Sequence, residues 1–249
     1  MIYVLTGLSL LFVAIGFIVT EQNAKYLLSG YNTMHEEDRK KVNIEAYIPY
    51  LRKFHILLGV SFLVVGVMLN YLLGEIAVGV FTGVYPIVAY IFFIVTSARF
   101  SYGVNIKWNR FGVYTLVATL IVVLGLLYFG VKEDELVVGS AMVKIKGMYY
   151  EEIHSSAIKS VELADELPAI ATKTNGFALG SINKGHFKTQ DGEKIKLILN
   201  TDIPPYILLI KKSGEKIYFS GKSKSTEVVY HEIKTILSGN GLRYQEGKN

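Results

Sequence analysis

The chain has 249 residues, 51% of them hydrophobic and 19% charged, and its 26 Lys and Arg against 21 Asp and Glu give a formal net charge of +5. So mild a positive balance argues against nucleic acid as a partner, and the absence of cysteine excludes disulfides, thiolate nucleophiles and Cys-ligated metals at once. Charge is also unevenly spread: up to Gly130 there are 9 Lys and Arg and 6 Asp and Glu, most of them in two loops between long apolar runs. The expected domains are therefore 1–130, embedded in a membrane, and 131–249, soluble and large enough to bury its own core.

Four apolar runs match the roughly 20 helical residues that a hydrocarbon core of about 30 Å requires. They are Ile2 to Thr20, Phe54 to Leu73, Ile76 to Ser97 and Phe111 to Gly130. No Lys or Arg precedes the first, and no small-residue cleavage site closes it, so it reads as a retained span. Only Gly74-Glu75 separates the second and third, which predicts a tight antiparallel hairpin. Tyr26, Tyr31, Tyr47, Tyr50 and Trp108 mark span ends, as interfacial anchoring predicts. His55 and Arg99 are placed at span ends, with polar tips reaching the headgroups. Asn70, Thr82, Thr96, Thr115 and Thr119 read as groups that bond across helices, and Gly79-x-x-x-Gly83 with Pro86 as a close-approach face.

The loop between the first two spans is an elbow, residues 21–53. Gly30 suits the left-handed end of a helix, and Thr33 with Glu36 suits a capping box that starts another. Gly30, Tyr31, Asn32 and Thr33 are the candidate interaction residues, backed by the basic run Arg39 to Lys41. The alternative is a solvated interfacial helix, with Glu36 to Asp38 at its positive end and Arg39 to Lys41 at its negative one. His35 and the three acids after it are consecutive, so they cannot all face one metal ion. Lys and Arg stay cytoplasmic during insertion. The elbow holds six, the loop before the fourth span three and the hairpin turn none, which puts the elbow in the cytoplasm and the C-terminal domain outside.

Asn-Ala-Lys-Tyr-Leu-Leu-Ser-Gly-Tyr-Asn-Thr-Met, followed by a Glu- and Lys-rich helix, resembles an uncharacterised family of small bacterial membrane proteins, a domain of unknown function, over roughly residues 1 to 100. The Gly-Tyr-x-Thr core is also similar to a motif of membrane proteins that give immunity to a sporulation-delaying toxin. Those proteins usually have Arg where Asn32 stands.

From Ser140 the apolar period switches to two, the mark of half-buried strands. Expected strands are Met142 to Lys146, Tyr149 to Ile153, Ile158 to Leu163, His186 to Thr189, Lys194 to Asn200, Tyr206 to Lys211 and Lys216 to Ser220. Asp191-Gly192 and Ser213-Gly214 turn two hairpins, while Gly176, Gly180 and Gly185 suit bends. Ser225 to Leu237 then returns to helical spacing, with Val229, Ile233, Ile236 and Leu237 on one face and Gly239 as a stop. Order and lengths resemble a bacterial pleckstrin-homology-like domain over about residues 135 to 240, a mainly-β barrel or curled sheet capped by one α-helix. Lys211, Lys212, Lys222 and Lys224 could form a basic rim, or be ordinary solvated lysines at strand ends.

No phosphate loop, nucleophile elbow or spaced His set occurs, so neither a catalytic role nor a cofactor or metal is expected. The expectation is a multi-pass bacterial cell-membrane protein that works by binding, as an anchored interaction or envelope-sensing module. Its partners would be the lipid bilayer and a protein or a second copy of itself. Alternatives are a small transporter or channel subunit, for which Asn70, Thr82, Tyr85 and Thr119 would line a polar groove, or a toxin-immunity-type protein.

Overall fold

The computed structural model describes residues 1–28, 30–101, 107–221 and 224–246, which divide into two compact units, Met1–Leu126 and Leu127–Asn249. Ser29, Lys222 and the side chains of Lys107 and Trp108 lie outside the described residues.

The first unit is helical. Helix α1 (Ile2–Ile18) ends two residues earlier than the apolar run suggests, because Asn23 intercepts the chain. Its Nδ2 donates to the Ile18 carbonyl at 2.8 Å and its Oδ1 accepts from the Thr20 amide at 2.7 Å. Two single-turn helices follow, α2 (Ala24–Leu27) and α3 (Glu36–Arg39), and then α4 (Ile44–Ser97), whose helical geometry breaks at Gly74 with φ 81° and ψ −176°. The two arms of α4 fold back on one another: Ser61 and Tyr85 share a hydrogen bond of 2.6 Å, and the Phe54 and Phe93 rings lie 4.5 Å apart. The expected hairpin thus turns at one glycine with no loop. A final helix, α5, runs over Lys107–Val131. Among the described residues, Ile44–Phe100 and Arg110–Val131 are long and apolar enough to cross a membrane.

The glycine seam lies elsewhere than expected. A Cβ on Gly83 would meet only Val123, at 3.7 Å. On Gly59 it would sit 2.6 Å from Val13 and 2.7 Å from the Ser9 carbonyl, and on Gly66 it would sit 2.7 Å from Leu5. The helices touch here, α1 against the first arm of α4, with the buried Ser9 hydroxyl donating to the Gly59 carbonyl at 2.8 Å. The seam repeats every seven residues on both helices (Ser9 and Gly16, Gly59 and Gly66), so a search for a four-residue repeat passes over it.

The second unit is mainly β, with two sheets and one closing helix. The smaller sheet is an antiparallel meander of β1 (Glu135–Val138), β2 (Met142–Lys146) and β3 (Glu151–His154). The larger joins β4 (Ile158–Ala164), β5 (Ile170–Leu179), β6 (Ile182–Thr189), β7 (Lys194–Asn200), β8 (Tyr206–Lys211) and β9 (Lys216–Phe219) in the order β4-β8-β9-β7-β6-β5. Both predicted hairpins form, and β7 pairs with β9 in parallel. Among the described residues no strand pairing joins β4 to β5, so the sheet is open rather than a closed barrel. The smaller sheet and α6 (Thr226–Glu246) cover one face of it, burying Val143, Ile145, Leu209, Ile217, Val229 and Ile233. Helix α6 runs past the expected stop at Gly239, because no left-handed cap forms there. Charges are buried as well. Lys184 pairs with Asp134, and Glu151 pairs with Lys196 and Lys211.

Candidate functional site

The elbow hangs on helix ends. Gly30 has φ +87°, the left-handed conformation expected of it. The Asn32 amide donates to the Leu28 carbonyl at 3.0 Å, closing the turn. The expected capping box is absent. Helix α3 starts two residues too late for it, with His35 at the cap position, and Thr33 Oγ1 instead donates back to the Gly30 carbonyl at 3.2 Å. Arg39 holds the next turn closed by donating twice to the Met34 carbonyl, at 3.2 and 2.8 Å. Lys41 donates to Asp38 at 2.7 Å, which keeps the carboxyl below its ordinary value and the ammonium above.

The four candidate residues part company by exposure. Asn32 and Thr33 face solvent, whereas the Tyr31 ring is half-buried against a cluster of Val19, Ala24, Ile48, Leu51 and Phe93. Beneath it lies an aromatic floor in which Tyr50 stacks on Phe93, ring centroids 5.7 Å apart, and its hydroxyl bonds Thr96. Arg99 lies 4.7 Å over Tyr50 and 4.9 Å over Phe100, so its charge meets aromatic ring faces. His55, expected at the surface, is only 3% exposed; it contacts the Leu51 carbonyl at 2.8 Å and the Tyr90 hydroxyl at 3.2 Å. Its apolar flanks on both sides hid this burial, and only the Gly16 opposite, where a Cβ would meet His55 at 3.0 Å, could have signalled it.

Chemically the elbow presents an amide, a hydroxyl and the exposed cations Lys25, Lys40 and Lys53 around an aromatic floor. Groups of these kinds pair with polar or anionic groups. Among the described residues no group of three or more His, Asp or Glu could hold a metal ion. Of the residues named for a polar groove, Thr119 donates to its own helix at the Thr115 carbonyl, and the concave surface that includes Tyr85 is otherwise lined by Ala77, Val80, Phe81, Val84 and Val88. Of the expected basic rim, two of the described lysines are taken up in ion pairs. Lys211 bridges Glu151 and Glu215, and Lys224 pairs with Glu232.

Residues 6–101 match a family model described as a domain of unknown function, DUF3784. The match covers α1 to α4 with the elbow inside it, close to the 1 to 100 span of the resemblance seen in the sequence, and α5 and the β unit fall beyond it. No curated protein and no solved structure matches the chain.

Proposed function

We propose that this chain is a non-catalytic, bilayer-anchored interaction module. Its DUF3784 region would form the membrane anchor, with the elbow as a polar recognition surface beside the headgroups. One observation carries the reading. The apolar helices turn large side chains outward, among them Leu57, Leu72, Phe92, Phe111, Ile121 and Phe129, each more than half exposed. Water penalises such a surface by roughly 25 cal/mol per Å², whereas lipid accepts it.

The reading extends to four crossings. The arms of α4 have roughly 30 and 23 residues and α5 has 25, against the roughly 20 needed. Helix α1, with 17, is about 25 Å long and needs slight local thinning of the bilayer. The Met1 amine lies 4.0 Å from Glu75 at the hairpin turn, so the elbow and the turn belong to opposite ends of the helical unit. With the positive elbow in the cytoplasm, the β unit is extracytoplasmic, and its two sheets with a closing helix are offered as a pleckstrin-homology-like sensor.

The test is photocrosslinking in native membranes from a photoreactive residue at Asn32, which is exposed. A discrete protein or lipid adduct that Thr33→Ala weakens is expected. If only diffuse products form from a correctly inserted protein, the elbow is a turn and the recognition reading falls.

A further inference from the structure

The turn between β2 and β3, residues 147–150, carries two outward apolar groups, Met148 at 37% and Tyr150 at 59% exposure, on a unit that otherwise keeps most large apolar side chains inside. Its position is fixed from two sides. The Met148 amide donates to Asp134 Oδ1 at 3.0 Å. Asp134 follows the end of α5 at Val131 by three residues, at most about 11 Å of chain. Asp134 is itself pinned by Lys184, whose ammonium also donates to the Lys132 carbonyl.

On the other side, Phe177 of β5 packs on the last turn of α5 so closely that a Cβ on Gly130 would meet its ring at 2.4 Å. Gly185, which faces Gly176 across the β5–β6 ladder, leaves room for the Tyr149 ring, which a Cβ there would meet at 2.9 Å. Two contacts, Gly130 with Phe177 and Gly185 with Tyr149, thus lie one register step apart on β5 and β6. At the helix end Tyr128 and Phe129 are 62% and 58% exposed, an aromatic pair of the kind found at a membrane surface.

We propose that residues 147–150 form a second membrane contact, in which Met148 and Tyr150 enter the headgroup layer of the leaflet from which α5 emerges. The occupant is a lipid surface. Tyr suits that level because its ring is apolar and its hydroxyl polar, and Met adapts to irregular apolar surroundings. The contact would hold the β unit against the bilayer at two points, the helix and the turn, instead of one. The inference rests on α5 crossing a bilayer, so the test separates the two.

The absence of cysteine allows single nitroxide labels on the full chain. Met148→Cys, Tyr150→Cys, Leu124→Cys on α5 and Asp191→Cys at the far end of β6 are each reconstituted in phosphatidylcholine–phosphatidylglycerol vesicles. Accessibility to oxygen and to a water-soluble nickel chelate is then measured. The ratio of oxygen to nickel accessibility is expected to be highest at Leu124, and at Met148 and Tyr150 about threefold above that at Asp191, since such groups partition to the interface. Met148 and Tyr150 values equal to that of Asp191, with Leu124 in hydrocarbon, overturn the second contact and leave the anchor standing. An aqueous Leu124 overturns both.

Discussion

Gly59 shows how much a single hydrogen atom in place of a methyl can decide. Its α-hydrogen faces Val13 and the backbone carbonyl of Ser9, and a Cβ there would come within 2.6 and 2.7 Å of them, closer than real contacts allow. Since the carbonyl cannot swing aside, Gly59→Ala should part α1 from α4 and cost about 1–3 kcal/mol by overpacking. Gly83→Ala, with one neighbour at 3.7 Å, should be silent. Thermal melting of both variants in one detergent checks this, and equal melting points would move the helix seam away from Gly59. The elbow gives a second contrast. Gly30→Val, forced to positive φ, should lose roughly 1 kcal/mol or more, whereas Tyr31→Phe keeps the ring packed on Leu51 and Phe93 and should melt like the parent. Gly30 was legible in the sequence because turn chemistry is local. The burial of His55 and the use of Lys211 as a bridge were not, because both depend on partners more than 30 residues away.

Among elements, those with a clean period were the readable ones. The core face of α6 (Val229, Ile233, Ile236 and Leu237) meets the sheet as its spacing predicts, and β2, β7 and β8 fall where alternation puts them. Strand β5 was missed because Asn175-Gly176 and two bulges break its alternation, and β1 because Glu-Leu-Val-Val follows an apolar helix with little contrast. Since the β unit has its own core on both faces of the larger sheet, residues 132–249 expressed alone should be soluble, β-rich and cooperatively folded. Circular dichroism of a disordered chain would mean that this unit needs the helices. The fragment also allows a pH test. Burial alone would raise the Glu151 carboxyl, but hydrogen bonds from Lys196 and Lys211 outweigh it and hold the carboxyl below its ordinary 4.5. A lowered folded pKa means that the unfolded chain binds the proton more readily. The stabilisation is therefore complete above about pH 4.5 and is lost as the pH falls through the folded value. The urea midpoint should drop as the pH falls below about 4.5, and Glu151→Gln should flatten that drop; an unchanged slope would assign the acid sensitivity to other carboxylates.

At the scale of the whole molecule the open question is orientation, and charge and geometry bear on it independently. On the proposed reading, six Lys and Arg in the elbow and three between Ser97 and the apolar part of α5, against none at the Gly74 turn, would hold the elbow in the cytoplasm by the cost of moving cations across the bilayer. The approach of Met1 to Glu75 joins the N-terminus to the hairpin turn at the opposite end. On that reading a fourth crossing by α5 would carry the β unit outside. Single cysteines at Glu37, in the elbow, and at Asp191, in the β6–β7 turn, meet no native thiol and can be probed in intact cells with a membrane-impermeant maleimide. Asp191→Cys should label at once and Glu37→Cys only after permeabilisation. Labelling of neither before permeabilisation would put elbow and β unit on one side, so that the number of crossings between them is even and α5 or one arm of α4 fails to span. Labelling of Glu37→Cys alone would keep four crossings and reverse them. The acidic run Glu36 to Asp38 would then have to offset the neighbouring Arg39 to Lys41, against the rule that acids contribute little to orientation.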